Sequence, residues 1–225
     1  MHLAEVYHAS RTRLIEQAAH LTEAQQNAQV PATPLWTVGD VYRHLTGVPS
    51  DILTGRLEGR GTPDWTGFQV ASRANLGLAE VCAEWDEVGP RIEKLIHESG
   101  FELARPCLDI WTHEQDIRGA LGLAADPADA AVPTLVATIL AMVRAGWQAN
   151  PGRPAVAFVV DGASHVLGEG EPELTLTTTG YELVRMILSR RSKEQLLAAD
   201  WTGESPERIF AAMCVFALPE RDLAD

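Results

Sequence analysis

The sequence predicts an α+β protein in two parts, an all-helical part followed by a smaller part of mixed helix and strand. Three observations predict it. Apolar residues recur at helical spacing from residue 3 to residue 148. The pattern breaks at Asn150-Pro151-Gly152-Arg153-Pro154. Beyond the break, residues 155–160 and 173–178 read as strands before helical spacing returns. The boundary is placed at 150, which gives domains of 1–150 and 151–225.

Leu3, Val6, Tyr7, Leu14 and Ile15 space a first amphipathic helix over 3–20. Pro31 and Pro34 make 30–36 a loop, because each removes a backbone donor and biases the residue before it towards an extended shape. Thr37 then reads as an N-cap with Asp40 in the first turn. The helix it opens runs to about Leu57, and Gly59 and Gly61 end it. A third helix fits 68–98, stopping at Gly100. Pro106 suits the first position of a fourth, where its missing N–H would be unpaired in any case. That helix ends near Leu121 and Gly122, and a fifth follows over 132–148. In the second part, Asp161-Gly162 is a turn between a strand at 155–160 and its partner from Ser164 to Leu167. Residues 173–178 alternate polar and apolar as a half-buried strand does. Helical spacing resumes at 180–189, 192–199 and 205–217.

The composition narrows the function. Hydrophobic residues make up 46% of the 225, enough for an ordinary core. The net charge of −13 argues against nucleic acid and against an anionic membrane surface, both of which call for cationic side chains. No apolar run approaches the roughly 20 residues that cross a bilayer. No basic region followed by an apolar stretch opens the chain, so a cytoplasmic protein is expected. Cys82, Cys107 and Cys214 are far apart and form no CxxC pair, which speaks against a disulfide framework or a cysteine zinc site. There is no phosphate loop, dinucleotide fingerprint or nucleophilic serine motif.

The chemistry lies on the fourth helix. Asp109 and His113 are four residues apart, one turn above each other on one face, and such a pair can grip a cation or form an ordinary surface ion pair. A third ligand must come from elsewhere. The second helix offers His44, which shares a face with Val41 and Val48 and should point inward. Two histidines and one carboxylate leave positions open for water or substrate, the pattern of a catalytic zinc site. Asp116, near the same face, either orients an imidazole or pairs with Arg118 or Arg43. Arg190 either holds a substrate carboxylate through its fork of donors or is a solvated helix-end charge. Glu114 points elsewhere and reads as solvated. His2, His8, His20, His97 and His165 have no ligand-like companions. The six tryptophans read as core or domain-contact residues.

Leu35-Trp36-Thr37-Val38-Gly39-Asp40-Val41-Tyr42-Arg43-His44-Leu45 resembles the Trp-x-Val-x-Asp-x-x-x-His-Leu segment of the mycothiol-dependent maleylpyruvate isomerase family. Asp109-x-x-x-His113-x-x-Asp116 resembles that family's Glu-x-x-x-His-x-Trp-Asp helix. Residues 155–200 resemble its C-terminal domain. The resemblance implies a DinB-like four-helix bundle followed by a small sterol-carrier-like α+β domain built on a β-meander. It implies a divalent ion, zinc, on His44, Asp109 and His113, and mycothiol, an actinobacterial thiol, as co-substrate. The implied activity is a transferase or isomerase acting on a small electrophilic, carboxylate-bearing substrate; the other reading is a metal-anchored protein that binds or senses a small ligand without turnover. Two positions depart from the family: Asp109 stands for Glu, and Gln115 for Trp, which makes the pocket wall more polar. The oligomeric state is not legible.

Overall fold

His2 starts the first helix. Its Nδ1 accepts from the Ala4 amide at 3.2 Å, and Glu5 reaches back to accept from the His2 amide at 2.7 Å. This reciprocal cap satisfies two donors that a first turn leaves open. It opens α1 (Leu3–Ala18) in the computed structural model, which describes residues 1–224. A single turn, α2 (Glu23–Gln26), precedes the proline loop. Thr37 and Asp40 then cap one another's backbone, as the sequence predicts, and α3 (Val38–Thr54) runs from them. It ends before Gly59. Gly55 takes φ 78°, a left-handed conformation that glycine adopts without strain, and the Arg56 amide closes on Asp51 O at 2.9 Å.

The helix expected over 68–98 is two helices. Thr62 caps α4 (Pro63–Ala71), with Pro63 at its first position, and α5 (Leu78–Ser99) begins after Gly77. Carbonyls of the turn between them find a donor on another helix: Arg43 donates to Arg73 O at 3.1 Å and to Leu76 O at 3.3 Å. Periodicity cannot report a break held by so distant a partner. A 3-10 turn (Gly100–Leu103) leads into α6 (Ala104–Ala120). Helices α1, α3, α5 and α6 form the bundle, with α1 and α3 each packing on both α5 and α6. Val6, Leu14, Val41, Trp85, Ile92 and Ile110 lie in its core.

The chain divides into units 1–125 and 126–224. Helix α7 (Val132–Gln148) therefore belongs to the second unit, not to the first domain where a boundary at 150 would put it. Its Val132 and Val136 press against Gly180: an ideal Cβ there would lie 2.8 Å and 3.0 Å from them. Trp147 Nε1 also donates to Pro154 O at 2.9 Å. An amphipathic helix displays an apolar face without naming the surface that covers it.

Strands β1 (Val156–Val160) and β2 (Ala163–Leu167) are an antiparallel hairpin. Asp161 at φ 49° and Gly162 at φ 85° supply the two positive dihedrals of its tight turn. Strand β3 (Leu174–Thr178) does not continue a meander; it lies on the far side of β1 and parallel to it, Phe158 opposite Leu176. Helices α8 (Gly180–Ile187) and α9 (Lys193–Leu197) follow. Strand β4 (Asp200–Gly203), which the sequence does not predict, pairs antiparallel with β3, so the order is β2-β1-β3-β4. The helix expected over 205–217 is a 3-10 turn (Pro206–Ile209) and a short α10 (Phe210–Met213). Among the described residues no helix is long and apolar enough to cross a membrane.

Candidate metal centre

The cap at Thr37 fixes where α3 begins and hence which residues face inward. His44 lies on the buried side and is 3% exposed. On α6, the four-residue spacing of Asp109 and His113 stacks them on one face, and the packing of α3 against α6 brings all three together. His44 Nε2 is 3.2 Å from Asp109 Oδ2, and His113 Nε2 is 3.6 Å from Asp109 Oδ1. One donor atom from each residue falls within 4.8 Å of the other two. The imidazoles meet edge to face, with centroids 5.3 Å apart.

This donor set fits a divalent ion. Bonds of about 2.0–2.2 Å to imidazole nitrogen and carboxylate oxygen, in a tetrahedral arrangement, put ligand atoms about 3.3 Å apart. The observed 3.2 Å and 3.6 Å, each to a different oxygen of Asp109, lie near that figure, and one donor atom per residue keeps the set within 4.8 Å. Both histidine side chains are buried, and Asp109 at 32% exposure is the ligand that solvent reaches.

Each imidazole has a neighbour at its second nitrogen, and the two neighbours differ in quality. His44 Nδ1 is 2.7 Å from Gln69 Oε1 in a hydrogen bond. His113 Nδ1 is 3.1 Å from Asp116 Oδ2, close enough for an ion pair but misaligned for a hydrogen bond. Asp116 thus lies beside the imidazole that the sequence offers it. Arg43 pairs with Asp40 instead, and Arg118 donates to Ala124 O.

Two residues beside the cluster escape sequence reasoning. Trp36, at the end of the proline loop, stands with its ring centroid 4.9 Å from that of His44 and 6.1 Å from that of His113. Its place before the capping Thr37 and its position at the head of the segment that resembles the isomerase family are the signals that could have found it. Gln69 lies on α4, within what the sequence reads as a single long helix, and nothing in the pattern marks it as inward-facing.

Two expectations are corrected. Glu114 is buried, and Arg13 holds it with two parallel bonds, Nε to Oε1 at 2.5 Å and Nη2 to Oε2 at 2.7 Å. Because α6 is covered around most of its circumference, a carboxylate away from the metal face still needs a partner. Arg190 is no solvated charge either. In the second unit it is 8% exposed, and its Nη1 donates to Leu188 O at 2.9 Å. Gln115 is also buried, and neither end of its amide has a hydrogen-bond partner.

The profile of the DinB superfamily matches residues 7–126. Among solved structures, the mycothiol-dependent maleylpyruvate isomerase is similar over 91% of this chain and 94% of its own, with a TM-score of 0.56 at 12% identity. A histidine-to-alanine mutant of that isomerase matches over the same shares with a TM-score of 0.53 at 13% identity. No curated protein matches the chain. At such identities the likeness is one of fold.

Proposed function

Because the chain belongs to the DinB superfamily, we propose that His44, Asp109 and His113 hold one divalent ion, zinc, and that the protein is an enzyme that activates mycothiol towards a small electrophile. The observation that carries this reading is the convergence of three donor atoms within 4.8 Å from two helices of the bundle. The fold shared with an isomerase named for mycothiol supports the choice of thiol. A bound divalent cation would draw the proton from a coordinating thiol near neutral pH and so supply a thiolate nucleophile.

The chain's own residues do the rest. His44 and His113 would hold the ion from the buried side, and Asp109 would complete the set from the side that solvent reaches. Trp36 walls one side with an aromatic face. Asp116 sits where it can hold the His113 ring in place. In the second unit, Arg190 carries a planar fork of donors that suits a carboxylate. The protein's own thiols are poor competitors, since burial pushes Cys107 up to about 12 and Cys82 up to about 11. Transfer of the thiol to an electrophilic carbon, or reversible addition that isomerises the acceptor, is the reaction class. Mycothiol as co-substrate supports the reading of an actinobacterial, cytoplasmic protein.

Metal per chain should be near one in wild type and lost in His113→Ala. Loaded protein mixed with mycothiol and an activated alkene should then yield a conjugate or isomer detectable by mass spectrometry. Thiol binding without product would point to the carrier reading instead. Absence of metal from wild type under every divalent loading would end both.

A further inference from the structure

We infer that Gln69, anchored by Asp51 and Arg56, is a positioning residue that fixes the tautomer of His44 so that Nε2 offers its lone pair to the metal. The inference rests on the reading of His44 as a ligand and adds how the ring is prepared for that role.

Arg56 grips Asp51 with two bonds, Nε to Oδ1 at 2.8 Å and Nη2 to Oδ2 at 2.6 Å. The guanidinium is itself seated over the Phe68 ring, 3.8 Å from its centroid. A carboxylate so paired is ionised and can only accept. Gln69 Nε2 therefore donates to Asp51 Oδ2, at 2.6 Å. The reverse orientation of the amide would set two acceptor oxygens against each other at that distance. With Nε2 committed, Oε1 must be the atom facing His44 Nδ1, at 2.7 Å. Oε1 can only accept, so Nδ1 carries the proton. Nε2 is then the nitrogen left for Asp109, 3.2 Å from Oδ2: without an ion the two can share a proton, and with an ion bound its lone pair would be free for the metal.

Three features indicate a built relay. Gln69 is fully buried, and its amide is hydrogen-bonded at both ends. Helix α4 sinks only Trp65 and Gln69, so the short helix inserted between α3 and α5 delivers this side chain. The opposing position on α3 is Gly47, one turn beyond His44, where a Cβ would collide with Gln69 at 2.5 Å. Each link costs a buried polar group unless the next is in place, which makes the chain all-or-none.

The test needs no turnover. In metal-free wild type with ¹⁵N-labelled histidine, two-bond correlation spectra should place the proton of the neutral His44 ring on Nδ1. A ring protonated on Nε2 alone, with Nδ1 bare, would overturn the proposal outright. Gln69→Leu removes the acceptor at similar volume. It should shift His44 towards the Nε2–H form and weaken zinc binding about 10–100-fold, the usual cost of losing a partner behind a ligand. A folded Gln69→Leu with an unchanged tautomer and unchanged affinity would also overturn the relay. Should wild type show Nδ1–H yet bind no metal, the metal reading fails while the tautomer assignment stands. If Gln69→Leu does not fold, the wild-type spectrum still decides the question.

Discussion

Gln69 occupies the space that a side chain at position 47 would fill: an ideal Cβ on Gly47 would stand 2.5 Å from Gln69 Cβ and 2.6 Å from its Cγ. Replacing glycine by alanine inside a helix ordinarily stabilises by about 1 kcal/mol. Here the new methyl meets the root of a buried side chain, which cannot swing aside. Gly47→Ala should lower the thermal midpoint, with an overpacking cost of about 1–3 kcal/mol. A raised midpoint would mean that α4 slides freely over α3.

The Arg13–Glu114 pair should respond unequally to loss of either partner. Glu114 is 6% exposed and Arg13 is 42% exposed. Arg13→Leu leaves a buried carboxylate short of its fork of donors, whereas Glu114→Gln leaves a cation that can reach water. Urea unfolding should show Arg13→Leu the more destabilised, with a penalty of about 1–3 kcal/mol. Equal midpoints would imply that Glu114 recruits another donor.

Acid should act in part through Glu84. Burial alone would raise its pKa, but hydrogen bonds from Arg73 and Ser50 and the Arg73 charge outweigh burial and bring it below the ordinary 4.5. The folded protein therefore binds this proton less readily than the unfolded chain. The stabilisation is present above the ordinary carboxylate range and is lost as pH falls through the lowered folded value. Glu84→Gln should flatten the acid limb of a stability–pH curve and leave the neutral limb's shape unchanged. An identical acid limb would remove Glu84 from the account.

The cysteines should resist modification. Burial pushes Cys107 and Cys214 up to about 12, so almost none of either is thiolate near neutral pH. A disulfide exchange reagent should label the native protein slowly and the urea-unfolded protein fast. Fast labelling of the native chain would show local opening around one of these thiols.

The three donors were legible because each sits in a local pattern: Asp109 and His113 in a one-turn spacing, His44 a fixed distance beyond a capping threonine. Their convergence was not local and rested on resemblance to a family. What the sequence hid depends on long-range partners. The break between α4 and α5 is stabilised by Arg43 from α3, and the home of α7 is set by the valines that press on Gly180. Strand β3 was legible as a strand from its alternation, but its parallel place beside β1 was not, since alternation gives faces and not neighbours. The burial of Glu114 is not legible, because a charged residue ordinarily faces solvent, whereas α6 is buried nearly all round.

Asp109 has a kinetic consequence. It is the one member of the cluster that solvent touches, and it hangs on a single short side chain. A cation seated there could be released by rotation about two bonds while both imidazoles stay in register. Side-chain rotation takes picoseconds to nanoseconds, against microseconds or longer for helices to part. An ion held there would exchange on the carboxylate's timescale, without the helices having to part.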